Sequence, residues 1–319
     1  MRILVTGASG FVGARLLQRL RAQGGIGDGA EPCIRLTVLG RNADALPSGQ
    51  DLRVVVGDMA DPDTIARAVE GGVDCVFHLA TVPGAAAQKD FDLGMAGNVH
   101  GLELLLNALR AQSGASPARV VFSSSVGVYG DLPPTVDDTT LPSPNYNYGF
   151  QKLVGELMVA AWSRNGWIDG RSLRLCGIIA RPKGDSVGLM TGFFSDVIHA
   201  ARAGNRFTLP MSPDATSWLM SAPCIVDNLL HAARIPPDGL PNARAFTLPA
   251  LRVCMRDYVG VLGELYGPAA AARITFAPNP DIEARFGRQG PLSTAIADRL
   301  GFFHDGSTRA LVERAISAA

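Results

Sequence analysis

Apolar residues come in short blocks along the first half of the chain. Ile3-Leu4-Val5, Leu36-Thr37-Val38-Leu39, Leu52-Arg53-Val54-Val55-Val56, Val73-Asp74-Cys75-Val76-Phe77 and Arg119-Val120-Val121-Phe122 are the clearest. Runs of this length, rich in valine and isoleucine, predict buried strands. Helical patterns fall between most of them. After the first block, for example, Val12, Leu16, Leu17 and Leu20 recur at the spacing of one helix face. This alternation predicts an α/β fold: a doubly wound parallel sheet joined by right-handed crossovers.

Glycine-rich Gly24-to-Pro32 reads as a surface insertion before the second strand. Pro142 and Pro144 close an extended segment, and the helix beyond them carries Leu153, Leu157, Met158 and Ala161 on one side, ending near Gly166. Ser172-Leu173-Arg174-Leu175 predicts a further strand. Past residue 178 the alternation weakens. Helices are expected at Val226–Ala233, Met255–Leu265 and Ser307–Ile316, with strands at Ala245–Leu248 and Arg273–Phe276. The chain thus divides into a dinucleotide-binding domain, 1–178, and a smaller, partly discontinuous substrate-binding lobe, 179–319. Such a lobe is expected at the carboxyl edge of the sheet, where open α/β folds bind ligands.

The first strand breaks into Gly7-Ala8-Ser9-Gly10-Phe11-Val12-Gly13. A glycine repeat between a strand and a helix lets a diphosphate approach the backbone and rest on free N–H groups at the helix N-terminus. The spacing is Gly-x-x-Gly-x-x-Gly, one residue longer than the better-known dinucleotide fingerprint.

On the helix after Pro144, Tyr148 and Lys152 stand at i and i+4 and share a face. An ammonium about 4 Å from a phenolate is worth roughly 4 kcal/mol at an effective dielectric near 20, or about three pKa units. That shift brings a phenol toward neutrality, where a general base operates. The spacing alone is common on amphipathic helices. Its weight comes from the glycine loop and from Ser123-Ser124-Ser125 upstream.

Composition removes several classes. Lys+Arg and Asp+Glu are both 29, and no basic run or aromatic-basic patch appears, so nucleic acid is not an expected partner. No run of 18 apolar residues exists, and the N-terminal apolar stretch is too short for a signal sequence; no membrane span is expected, and the chain reads as cytoplasmic. The five cysteines contain no Cys-x-x-Cys pair and read as reduced thiols. The five histidines lack metal-ligand spacing, so no catalytic metal is expected.

Further motifs follow in order: Gly57-Asp58-Met59 after the third strand, Phe77-His78-Leu79-Ala80 ending the fourth, and Asn98-Val99-His100-Gly101 in a helix. Val128-Tyr129-Gly130 and Ala297-Asp298-Arg299-Leu300-Gly301-Phe302 complete the set. With the glycine loop and Tyr148/Lys152, they make the chain resemble the extended short-chain dehydrogenase/reductase family over most of its length. The resemblance implies a Rossmann fold, a nicotinamide dinucleotide cofactor and a Ser-Tyr-Lys site. By register with Tyr129-Gly130 the family's catalytic serine falls on Ser125, with Ser123 and Ser124 left to touch the cofactor or cap the strand.

Tyr148 is then the general base and Lys152 its cationic partner, which also holds the nicotinamide ribose. Gly7, Ser9, Gly10, Phe11, Val12 and Gly13 would cradle the diphosphate, Asp58 and Met59 the adenine, with Leu79, Ala80 and Ser123 beside the cofactor. Asn98 is expected to brace its helix and, through water, Lys152. Family members commonly pair through the helices bearing Asn98 and Tyr148, so a homodimer is expected.

Phe91-Asp92-Leu93-Gly94-Met95, Val136-Asp137-Asp138, Gly170–Leu175, Trp218–Ser221 and Asn228–Ala233 resemble a subgroup that oxidises a small sugar acid. This implies a short aldonic acid oxidised at C2 to a 2-oxo acid. Two departures matter. Where that subgroup has an aspartate favouring NAD, this chain has Leu39-Gly40-Arg41-Asn42, and the Arg41 guanidinium suits the 2′-phosphate of NADP. Cys176-Gly177 replaces the subgroup's usual Pro-Thr, which bears on the pocket floor. Trp218 reads equally as a pocket wall or a core residue. A nucleotide-sugar epimerase or dehydratase shares the Tyr/Lys machinery; it usually has an Arg-Asp pair where Thr216–Ser221 stands here without arginine. A non-catalytic dinucleotide sensor is the third alternative, although this chain retains both Tyr148 and Lys152.

Overall fold

The computed structural model of the chain describes residues 1–27, 32–33, 35–112, 116–184 and 189–317. Its contacts form two compact units. The first is Met1–Gly130, Pro142–Leu175 and Val226–Thr247; the second is Asp131–Leu141, Cys176–Ile225 and Leu248–Ala319.

The first unit is built on seven parallel strands. These are β1 (Arg2–Thr6), β2 (Arg35–Gly40), β3 (Leu52–Val56), β4 (Cys75–His78), β5 (Ala118–Ser125), β6 (Ile168–Leu175) and the edge strand Ala245–Thr247. Their order is edge strand, β6, β5, β4, β1, β2, β3. The doubly wound α/β sheet expected from the apolar blocks is the architecture found. Near-continuous burial of β1, β2 and β4 follows from helices on both faces.

Helices α1 (Phe11–Gln23), α2 (Pro62–Val69), α3 (Gly84–Lys89), α4 (Phe91–Gly94), α5 (Gly101–Ala111) and α6 (Asn147–Arg164) make the crossovers. α1 buries Leu16, Leu17 and Leu20; α5 buries Leu102, Leu105, Leu106 and Leu109. Each such leucine is worth roughly 1.5–3 kcal/mol of burial. Asp61 caps α2, its carboxylate accepting from the backbone of Asp63 and Thr64, while Pro62 occupies the first turn.

The chain runs outward from β1 to β2 and β3, then returns to place β4 on the other side of β1. The switch point therefore lies between the carboxyl ends of β1 and β4, the standard ligand crevice of such sheets.

Several boundaries differ from the sequence reading. The strand expected from Val73 begins at Cys75, because Asp74 turns its carboxylate to the backbone and guanidinium of Arg2. The strand expected at 119–122 continues through Ser125, since Ser123, Ser124 and Ser125 stay in register with Leu173, Arg174 and Leu175. The strand in 245–248 pairs parallel with β6 and extends the large sheet. Asn98 lies in a π-helical turn, Met95–His100. Of the insertion expected at Gly24-to-Pro32, residues 28–31 lie outside the described residues.

The second unit has a three-stranded sheet in the order Leu251–Cys254, Thr216–Ser221, Gly177–Ile179, and a parallel pair, Phe207–Leu209 with Ile274–Phe276. Phe194, Val197 and Ile198 of helix Phe193–Ala203 pack in one core with Tyr258 and Leu262 of Met255–Tyr266 and Leu311 and Val312 of Thr308–Ser317. The Tyr258 hydroxyl, buried there, donates to the Phe194 carbonyl at 2.7 Å. Trp218 is only 1% exposed and its indole N–H donates to the Gly290 carbonyl at 2.8 Å, so it is a core tryptophan of this unit. Among the described residues no helix is long and apolar enough to cross a membrane.

Candidate active site

The glycine loop sits at the switch point. Gly7 takes a left-handed φ of 71°, and a Cβ there would lie 2.6 Å from the Ala80 nitrogen. Only glycine lets the turn after β1 close against Leu79-Ala80 at the exit of β4. Gly13 is equally constrained: its Cβ would fall 2.1 Å from the Gly7 carbonyl oxygen, where α1 rises under the loop. Gly10 caps α1 without a side-chain hydrogen bond, and Ser9 and Gly10 are exposed. The N-terminus of the 13-residue helix thus meets a turn whose first and last residues, Gly7 and Gly10, carry no side chain. This cradle fits a diphosphate. Phe11 is buried beneath the Arg15 guanidinium, 4.3 Å from its ring centroid, and Val12 is half-buried.

Residues expected at the adenine end follow neighbouring strand ends, because Gly40 of β2 pairs with Val56 of β3. Arg41 is exposed just past β2. Asp58 is exposed and accepts from the Ala60 backbone N–H at 2.9 Å, which makes its turn rigid. Met59 is buried against Gly101.

Leu79 and Ala80 are pinned to β1: their N–H groups donate to the Thr6 carbonyl and hydroxyl at 3.2 and 3.3 Å. Thr6 Oγ1 also lies 2.9 Å from His78 Nδ1. Burial, and then the nearby Lys152 charge, push the His78 imidazole down to about 3, so it is neutral under ordinary conditions.

Tyr148 and Lys152 lie in the first turns of α6. Lys152 is 2% exposed, and its Nζ donates to the Ser123 carbonyl at 2.7 Å. That nitrogen is 5.6 Å from the Tyr148 ring centroid and 4.9 Å from that of Phe122. Burial lowers the Lys152 amine to about 7, against the attraction of Glu156, which raises it. The first turn of α6 comes close to β5 because Gly149 follows Tyr148. A Cβ at Gly149 would lie 2.2 Å from the Gly127 carbonyl oxygen, in the turn that follows Ser125. Tyr148 is half-buried and stacks on Tyr146 with ring centroids 6.4 Å apart.

The three serines separate by environment. Ser123 Oγ is buried and donates to the His78 carbonyl at 3.0 Å. Ser124 Oγ is buried and donates to Glu156 at 2.5 Å. Ser125 is half-exposed and accepts from the Gly127 N–H at 3.1 Å, which leaves its hydroxyl proton available to a ligand.

Asn98 is buried and accepts from the Val82 N–H at 2.7 Å and from Thr81 Oγ1 at 3.0 Å. Its amide donates to the Val82 carbonyl at 3.1 Å and to Gln151 Oε1 at 2.8 Å. It thereby fixes the segment after β4 to α6, one residue before Lys152.

Sequence reasoning missed the group behind the serines. Glu156 pairs with Arg174 through two hydrogen bonds of 2.9 and 2.8 Å, and Arg174 also donates to the Tyr129 hydroxyl at 3.0 Å. The signal was present in the position of Glu156, one helical turn beyond Lys152. Among the described residues no group of three or more His, Cys, Asp or Glu could hold a metal ion.

The chain as a whole is similar to known proteins. The NAD dependent epimerase/dehydratase family matches residues 3–218. The chain is 37% identical over 289 residues to the D-erythronate dehydrogenase of Cupriavidus necator, covering 89% of this chain and 87% of that one. It is 29% identical over 279 residues to the D-erythronate dehydrogenase of Haemophilus influenzae, covering 86% of each. Among solved structures, a nucleoside-diphosphate-sugar epimerase from Agrobacterium tumefaciens superposes with a TM-score of 0.88 at 30% identity, covering 99% of this chain and 94% of that one. The chain belongs to the NAD dependent epimerase/dehydratase family and is a nicotinamide-dependent enzyme of the extended short-chain dehydrogenase/reductase type.

Proposed function

We propose that the enzyme oxidises the C2 hydroxyl of a small sugar acid, D-erythronate or a close relative, to the 2-oxo acid. The observation that carries this reading is the 37% identity to a D-erythronate dehydrogenase across nearly the whole chain, joined to a buried Lys152 one turn from Tyr148.

The Gly7–Gly13 turn would hold the diphosphate of a nicotinamide dinucleotide, which would supply the hydride acceptor. Tyr148 takes the proton from the substrate hydroxyl as the phenolate, and returns it when the reaction runs toward the alcohol. Lys152, charged, lowers the cost of that phenolate and holds the ribose. Ser125 donates to the substrate oxygen as its bond order to carbon changes.

Finer features belong to the same reading. Arg41, exposed past β2 with no carboxylate in its place, supports use of NADP. Phe91, Leu93, Phe150 and Leu157 on α4 and α6 are exposed apolar side chains, which supports a homodimer built on these helices. The cytoplasm suits five cysteines that form no disulfide.

The superposed epimerase keeps a second reading open, in which the Tyr/Lys pair acts on a nucleotide sugar. A screen of NAD(P)H formation across sugar acids, beside a screen of UDP-sugars for epimerised or dehydrated product, separates the two. Turnover of D-erythronate or a related acid is expected. Activity on UDP-sugars alone would replace the proposal with the second reading.

A further inference from the structure

Residues four apart on α6 share one face, and that face carries Tyr148, Lys152 and then Glu156. Lys152 and Glu156 are both nearly closed to water, at 2% and 3% exposure. The hydrogen bond from Lys152 Nζ goes to a neutral carbonyl, that of Ser123. A buried ammonium with only neutral partners gives up its proton. A lysine that has done so cannot stabilise a phenolate.

Glu156 is the opposing charge, and three hydrogen bonds from two residues hold it in place. Ser124 Oγ donates to Oε1 at 2.5 Å, and Arg174 donates to both carboxylate oxygens at 2.9 and 2.8 Å. Arg174 is itself fixed by its 3.0 Å bond to the Tyr129 hydroxyl, which meets Thr247 Oγ1 at 2.7 Å. Burial works against the Arg174 charge, yet its hydrogen bonds to Glu156 and the attraction of that carboxylate carry its pKa above the ordinary guanidinium value.

We propose that Glu156 is a positioning residue, whose fixed carboxylate is the counter-charge that keeps the Lys152 ammonium protonated inside the closed site. The inference rests on the reading of Tyr148 as base and Lys152 as its cationic partner. The titratable groups facing Lys152 are Tyr148 and Glu156 on α6, His78 on β4, and, beyond Glu156, Arg174 on β6 and Tyr129 in the turn after β5. His78 is neutral, so Glu156 is the negative charge in this set. Removing it lowers the Lys152 midpoint.

The chain contains three lysines, Lys89, Lys152 and Lys183, and the other two are exposed. Side-chain 15N-lysine NMR therefore resolves Lys152 in the whole protein without any substrate. In Glu156→Gln the Lys152 midpoint is expected to fall by about one pH unit or more, a tenfold change in its acid constant, with Lys89 and Lys183 unmoved. The loss of kcat/KM at high pH should begin correspondingly earlier. Glu156→Asp, which keeps the charge but draws it back, is expected to shift both less, and it serves as the test should Glu156→Gln not fold. An unmoved Lys152 midpoint in the folded variant would overturn the inference. Failure of the wild type to oxidise any hydroxy acid sinks the functional reading instead, and the NMR midpoint still decides the role of Glu156.

Discussion

Lys152 Nζ donates to the backbone carbonyl of Ser123 at 2.7 Å, tying the Tyr148/Lys152 face of α6 to the exit of β5. The amine is buried, and burial brings it down to about 7 from the ordinary 10.5. Between those values the unfolded chain binds a proton that the folded chain does not. The buried amine therefore costs stability at and below neutral pH, and the cost fades as pH rises toward 10.5. Lys152→Met should lower turnover by roughly 10²–10⁴. It should also melt above the wild type near neutral pH, with the gap closing at high pH. Thermal melts at several pH values check the sign.

Ser124 and Ser125 are adjacent but should fail differently. Ser124→Ala removes a buried hydrogen bond to the Glu156 carboxylate, worth about 1.5–3 kcal/mol, and should appear first as a lower urea midpoint. Ser125→Ala leaves the core untouched and should lower kcat with little change in stability. Denaturation and steady-state kinetics on both variants decide the assignment. Loss of rate confined to Ser124→Ala would move the catalytic role to that serine.

How far the sequence could be read follows from where each constraint lies. β2 spans Arg35–Gly40 around the block Leu36–Leu39, because a strand buried between helices needs a continuous apolar run. β3 also follows its block, Leu52–Val56, but as the edge strand it leaves Val54 and Val56 exposed. The glycine turn and the Tyr148/Lys152 pair were legible for a similar reason: each is local chemistry written in consecutive residues. The Ser124–Glu156–Arg174 cluster was not. Glutamate on a helix and arginine on a strand read as solvated charge until α6, β5 and β6 come together and close off water. In the second unit, Gly177–Ile179 and Phe207–Leu209 are three residues each, too short to show a period. The helix Phe193–Ala203 does carry Phe194, Val197, Ile198 and Ala201 at helical spacing, a signal obscured by the glycine- and proline-rich residues before it.

Arg41 sets the expected cofactor preference. If its guanidinium receives the 2′-phosphate, Arg41→Asp should lower kcat/KM for NADP by tenfold or more, on the order of 1.4 kcal/mol, and improve the ratio for NAD. Parallel assays with both dinucleotides test this, and a wild type with a large advantage for NAD would contradict it.

His78 gives the fold an acid limit. Its folded value of about 3 lies below the ordinary 6.5, so the unfolded chain takes up a proton first as pH falls. Stability from this residue is full above 6.5 and is lost progressively toward pH 3. His78→Gln retains a partner for Thr6 but cannot titrate. Its urea midpoint should therefore fall less than that of the wild type on acidification; equal losses would argue against a neutral buried imidazole.

Single-turnover hydride transfer from D-erythronate in wild type and Tyr148→Phe tests the account most directly, with dinucleotide binding measured alongside. Removing the phenolic oxygen should leave the dinucleotide bound while the rate falls by roughly 10²–10⁴. A Tyr148→Phe enzyme that reduces the cofactor as fast as the wild type would contradict it.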